Sequence, residues 1–128
     1  MKKILLLPLL LVTYFCLAQD AKEIIGKPIT IGNLLVAQND FPNQMKWVDA
    51  VNECTTLGKG WRLPTKDELN ELYKNKDKIG GFATSTLSSY WSSTESGLRF
   101  AWLQYFSYGT QKSANKFYIL PIRAVRSL

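Results

Sequence analysis

A helix start is written into the segment Gly60-Trp61-Arg62-Leu63-Pro64-Thr65-Lys66-Asp67-Glu68-Leu69-Asn70-Glu71-Leu72-Tyr73 (GWRLPTKDELNELY). Thr65 followed three residues later by Glu68 is a capping box. The threonine hydroxyl accepts from the Glu68 amide, and the Glu68 carboxylate reaches back to the Thr65 amide. Pro64 favours an extended entry, and Asp67 and Glu68 meet the positive end of the helix dipole. Leu69, Leu72 and Tyr73 form an apolar stripe, so the pattern predicts a helix from about Lys66 to about Asn75. Lys74, Lys76 and Lys78 cluster at its C-terminal end, where cations are favoured. A paired-carboxylate acid/base site is the functional alternative. Asp67 and Glu71 do sit at i,i+4, but opposite Leu69 and Tyr73, and the capping box accounts for the acidic residues without chemistry.

Around this helix the chain divides by composition. Residues 19–32 form a polar N-terminal lead, with Gln19 to Lys27 expected to be loose. The folded domain is expected over residues 33–128. Ile29 to Gln38 alternates and then runs apolar, predicting one buried strand, and Asn39 to Asn43 is turn chemistry. Residues 46–57 recur at helical spacing, with Trp47, Val48, Val51, Cys54 and Leu57 on one face. Beyond Phe82, Ser, Thr and Gly separate aromatic-rich runs at Tyr90–Thr94, Arg99–Phe106 and Lys116–Val125. These predict three antiparallel strands, the last apolar on both faces and so central. Helices first and strands later argue for an α+β fold.

The first eighteen residues carry the layout of a secretory signal peptide: a basic Met1-Lys2-Lys3, an apolar run from Ile4 to Leu17, and Cys16-Leu17-Ala18 as a cleavage site. A lipoprotein anchor at Cys16 is the weaker reading, because Phe15 is bulky where such signals want a small residue. Export is therefore expected (periplasm, cell surface or medium), with no membrane span once the signal is removed. Removal takes Lys2 and Lys3, so the formal charge falls from +6 to +4. That balance suits anionic glycans or cell surfaces and falls short of a nucleic-acid footprint. One cysteine, Cys54, would remain, leaving no partner for an intramolecular disulfide. The sequence has no His, which removes the commonest transition-metal ligand and the commonest general base.

Candidate chemistry is sparse. Cys54 lies on the apolar helical face with no His partner and reads as a buried structural thiol. Asn39, Asp40 and Asn43 are oxygen donors in a turn, but the EF-hand spacing is absent, and no metal or cofactor is expected. The aromatic density of residues 90–118 is mostly core. Along the middle run, alternation puts Phe100, Trp102 and Phe106 on one face and Ala101, Leu103 and Tyr105 on the other. The exposed turns are the place to look for a ligand, because an aromatic ring flanked by amides and cations suits sugar recognition. Glu95, Arg99, Tyr105, Tyr108, Lys112 and Asn115 are the candidate contacts. Arg123, in an otherwise buried run, is expected to hold a structural carboxylate.

Several segments occur in a recognisable order: Met45-Lys46-Trp47, GWRLPTKDELNELY, Asn75 to Phe82, Tyr90 to Glu95 (YWSSTE), Ala101-Trp102, and Ile122 to Arg126. Over about residues 33–126 the chain resembles the C-terminal domain of the Legionella collagen-like adhesin, also called the Fibrobacter major paralogous domain. The resemblance makes Trp61, Arg62, Pro64, Thr65, Glu68, Trp91, Trp102 and Arg123 structural motif positions. It implies a C-type-lectin-like fold, with two helices, mixed but mainly antiparallel sheets and paired terminal strands. It also implies a surface or adhesion role, with sulfated polysaccharide binding reported for those adhesins. Formylglycine-generating enzymes share the WRLPT-type motif but need a cysteine pair for copper, which Cys54 alone does not supply. The Glu-Pro-Asn and Trp-Asn-Asp calcium motifs of animal lectins are absent. Lys46 stands where relatives place a better N-cap, so fraying is expected there. The expectation is a non-catalytic module binding a glycan or anionic surface polymer. The alternative is a protein-interaction or assembly domain, with oligomers allowed.

Overall fold

The computed structural model describes residues 20–128, and the signal-peptide reading lies outside them. Residues 20–25 are helical. There follow β1 (Ile29–Ile31), β2 (Leu34–Val36), α1 (Trp47–Thr55), β3 (Trp61–Arg62), α2 (Lys66–Lys74), α3 (Lys76–Ile79), β4 (Ser89–Gly97), β5 (Phe100–Tyr105), β6 (Gln111–Asn115) and β7 (Val125–Ser127). The strands make a four-stranded sheet in the order β1-β2-β7-β3 and a three-stranded sheet, β4-β5-β6. All of these pairings are antiparallel, simpler than the mixed arrangement the resemblance implied. The terminal strands do pair, with β7 between β2 and β3.

The predicted helix start is present in full. Glu68 N–H donates to Thr65 Oγ1 at 3.2 Å, and Thr65 N–H donates to Glu68 Oε1 at 2.8 Å. Leu69 and Leu72 are fully buried, each stabilising the fold by about 2–3 kcal/mol. α1 lacks a side-chain cap at Lys46, as expected. Its first amide, Trp47 N–H, instead donates to Lys116 O at 3.1 Å. A long-range bond thus holds the end that was expected to fray. The buried face of α1 is Ala50 and Cys54, and Val48 is 55% exposed. Val48 precedes Ala50 by two residues, about 200° around the helix, which puts it on the solvent side and corrects the predicted face.

Three further expectations are revised. The strand expected over Ile29–Gln38 is a hairpin: Ile31 pairs with Leu34 across Gly32-Asn33, and Gly32 has φ +56°. Glycine at the first turn position of a two-residue loop is what a type II′ turn requires. The expected loose lead is packed: Ile24 is buried, and Gln38 N–H and Asn39 N–H donate to Ile25 O and Ile24 O. The third strand of the second sheet is the polar run Gln111–Asn115, not Lys116–Val125. Phe117, Tyr118 and Ile119 form an exposed turn. Residues 120–124 then run beside residues 37–45 with scattered backbone bonds, because Pro121 has no N–H to extend a ladder. The burial expected of the last run is real from residue 121 to Val125, but only Val125 of that stretch belongs to a strand.

Two apolar clusters meet across the sheets. One gathers Trp61, Leu63, Trp91, Leu103 and Ile122 with Ala50, Cys54 and Leu57. The other joins Val36 and Val125 to Leu69, Leu72, Ile79, Tyr90 and Phe106.

Candidate binding surface

β5 alternates as its sequence predicts, which decides what each end of the second sheet displays. Ala101 and Leu103 are buried in the first cluster, and Tyr105 packs against it. Phe100, Trp102 and Gln104 point to the other face. There Gln104 is covered, its amide donating to Asn70 Oδ1 at 2.8 Å and Gly109 O at 3.0 Å, while Phe100 is 43% exposed.

At the β4–β5 turn a groove of about 410 Å³ opens between the start of α1 and residues 115–117. Val48, Leu98 and Phe117 give it an exposed apolar lining, Lys46 and Arg99 supply cations, and Asn115 and Asp49 complete it. Lys116 organises this corner. Its ammonium donates to Glu95 Oε2 at 2.6 Å and Leu98 O at 2.9 Å, and lies 4.3 Å from the Trp47 ring centroid. With its donors used in this way, Lys116 shapes the groove, and Lys46 and Arg99 line it. Lys46 Nζ stands 5.5 Å from the Phe117 ring centroid.

The six candidate contacts fall into separate places. Glu95, Arg99 and Asn115 gather at the β4–β5 turn, with Glu95 engaged by Lys116. Asn115 Oδ1 also accepts from Phe117 N–H at 2.9 Å and so shapes the wall. Tyr105 and Tyr108 stack on each other at the far end of β5, ring centroids 5.1 Å apart. Five residues of strand, about 17 Å, lie between the two ends. Lys112, exposed, pairs with Leu103 and so sits on the opposite face from Asn115. Lys46, Val48, Asp49, Leu98, Lys116 and Phe117 were missed as groove residues. The one available signal was Leu98, a leucine in a turn beside Arg99.

The motif positions other than Trp102, which is half-buried, serve the framework. Trp61 and Trp91 are buried; the Trp91 indole donates to Met45 O at 3.2 Å. Arg62 forks onto Glu68 at 2.6 and 2.9 Å and reaches Ser127 Oγ. The Arg62 bonds hold the Glu68 carboxyl below its ordinary range. Pro64 O accepts from Ser93 N–H at 2.8 Å, tying the helix start to β4. Arg123 is fully buried and donates to Asp40 Oδ1 at 2.7 Å, which supplies the expected carboxylate. Asp40 Oδ2 accepts from the Tyr90 hydroxyl. Burial pushes the Asp40 carboxyl up against the opposing pull of Arg123, and pushes the Tyr90 phenol up as well. Asp40 is thereby engaged on both oxygens. Among the described residues no three His, Cys, Asp or Glu side chains cluster as metal ligands. Cys54 is fully buried, and desolvation pushes its thiol up to about 12.

The architecture is that of C-type-lectin-like proteins. It is similar to botrocetin, with TM-score 0.62 and 10% identity, covering 80% of this chain and 98% of that one. It is also similar to EMS16, an antagonist of the collagen receptor integrin α2β1, with TM-score 0.56, 12% identity, and 79% and 97% coverage. Botrocetin in complex with a mutant von Willebrand factor A1 domain aligns with TM-score 0.57, 10% identity, and 80% and 98% coverage. At such identities the likeness concerns the fold alone. A comparison with curated proteins gave no match. The sequence matches the Lcl C-terminal domain over residues 21–126, and the chain belongs to that family.

Proposed function

We propose that this chain is an exported, non-catalytic binding module whose β4–β5 groove recognises a glycan or another anionic surface polymer. The observation that carries this reading is the makeup of the groove: the Lys46 and Arg99 cations beside the exposed Phe117 ring and the Asn115 amide. A ring supplies a stacking surface, and amides and guanidinium groups supply directional donors. Free cations also draw an anionic polymer in a salt-dependent way. A non-catalytic role is supported by the missing His and by a thiol that is buried and far from its reactive form. Export is supported by the basic and apolar layout of residues 1–18. No helix among the described residues is long and apolar enough to cross a membrane.

The test is a glycan array on the mature chain at low and moderate salt, repeated with the Lys46→Gln/Arg99→Gln variant. Binding to acidic polysaccharides that weakens with salt, and several-fold in the variant, is the expected result. Absence of binding to every acidic and neutral polysaccharide overturns the proposal.

A protein-interaction role is the second reading. It is favoured by the exposure of Leu98 (90%), Phe117 (70%), Tyr118 (57%) and Ile119 (57%), since exposed apolar patches mark interaction surfaces. Light scattering separates the two: a monomer at every concentration removes the self-assembly form of this reading.

A further inference from the structure

The face of the second sheet that carries Trp102 holds another arrangement, apart from the groove. Between the pairs Trp91↔Leu103 and Glu95↔Ala101, three residues of β4, Ser92 to Thr94, stand opposite one residue of β5, Trp102. Bulges bend a strand and re-aim its side chains. This one is pinned to the helix-starting segment. Ser93 N–H donates to Pro64 O at 2.8 Å, and Lys66 N–H donates to Thr94 Oγ1 at 2.9 Å. The result is that the Lys66 ammonium lies over the half-buried Trp102 indole, 3.7 Å from the ring centroid. Ser113 pairs with Trp102 from β6, and its hydroxyl meets that of the exposed Ser96. Phe100 follows on the same face about 7 Å along the strand.

None of the ion pairs among the described residues includes Lys66. Its charge rests on a ring face, an attraction weaker than a charge-assisted hydrogen bond to an anion. An arriving carboxylate or sulfate therefore draws the ammonium off the ring. The indole face this uncovers suits the C–H face of a pyranose, with the Ser96 and Ser113 hydroxyls beside it.

We propose that Trp102 and Lys66 form a subsite for an acidic pyranose. Lys66 covers the indole in the free protein and turns to the sugar's carboxylate or sulfate as the ring stacks on Trp102. A neutral sugar must displace the same ammonium and offers only uncharged hydroxyl acceptors in return, so the pair selects acidic over neutral sugars. The proposal rests on the glycan reading above but assigns recognition to a different set of residues from the groove.

The experiment titrates the chain with polygalacturonate, dextran sulfate and neutral dextran, reading affinity by calorimetry and the Trp102 indole N–H by NMR. The indole signal is identified by its loss in Trp102→Phe, and Lys66→Met is used only if its melting temperature matches the parent. At least one acidic polymer is expected to shift the Trp102 signal, while dextran does not. Lys66→Met should weaken that polymer about tenfold, with Lys66→Arg restoring most of the loss. The carboxylate and sulfate arms show which anion is preferred. If the acidic polymer binds Lys66→Met as well as the parent, leaves Trp102 unmoved and is lost in Arg99→Gln, the subsite is overturned and the groove reading stands. If no polymer binds, both fall.

Discussion

Arg123 Nε donates to Asp40 Oδ1 at 2.7 Å across 83 residues of chain, joining the loop after β2 to the segment that leads into β7. The guanidinium also donates from Nη1 to Ala37 O and Gly80 O, each at 3.2 Å, and lies 4.1 Å from the centroid of the Phe82 ring. Three separate stretches of loop are thus held by one fully buried side chain. Removing the carboxylate leaves a buried cation unpaired. Asp40→Asn is expected to lower unfolding free energy by about 3 kcal/mol, read from urea denaturation. Adding Arg123→Met should recover part of that loss, because the stranded charge goes too. A cost below about 1 kcal/mol for Asp40→Asn would show that the pair does not anchor these loops.

Acid should weaken the domain through Glu68. Its carboxyl is held below 4.5, mainly by Arg62, with the Thr65 amide assisting. A depressed carboxyl gives stability that is complete above the unfolded value and is lost as pH falls through the lower folded one. Melting temperatures of Glu68→Gln and parent, compared down to about pH 2, should therefore converge in acid. An unchanged gap at all pH values would contradict this. Thr65→Ala should cost about 1 kcal/mol at neutral pH.

Cys54 should be silent in the native state. The thiol is fully buried on α1 and titrates only near 12, and the thiolate is the reactive form. Alkylation by iodoacetamide is expected to follow global unfolding, fast in urea and slow in buffer. Rapid labelling of the native chain would refute this burial.

Gly109 tests packing against backbone strain. It has φ +84°, and a Cβ there would stand 2.4 Å from the Tyr73 ring. Gly32 has φ +56° with no atom within 4 Å of its would-be Cβ. Both alanine variants carry the conformational penalty, and only Gly109→Ala adds a collision with an aromatic ring. The loss should exceed about 1 kcal/mol for Gly109→Ala and be smaller for Gly32→Ala, by thermal or urea unfolding.

What could be read from the sequence was what local chemistry dictates. The Thr65–Glu68 box acts within four residues, and the structure forms it as predicted. Arg123 in an apolar run implied a buried carboxylate, because a lone buried cation is too costly. Gly32-Asn33 was an available hairpin signal that the apolar run around it concealed. The exchange of Gln111–Asn115 for Lys116–Val125 has a different cause. Apolar pattern reports burial, and residues 121–125 are indeed buried. It does not report which backbone groups find a ladder partner. An edge strand as polar as β6 carries almost no burial signal. Lys116, seen from sequence, is one cation in a polar stretch. Its role needs Trp47 from α1, and Glu95 and Leu98 from the end of β4 and its turn, brought to one point. Lys66 was in plain view as a helix residue, but its position over Trp102 depends on a bulge that no local pattern marks.

The pairing of β2 with β7 has a mechanical consequence. The ladder aligns Leu34 with Ser127 and Val36 with Val125, so the incoming side of one strand and the outgoing side of the other lie at the same end. A pull between those two points loads the rungs one after another and peels the strands apart. It does not load them together, as a shearing pull would. Under tension the sheet that closes the domain would open like a zip, beginning at the Leu128 N–H bond to Asn33 O, while β4, β5 and β6 stay outside the line of force.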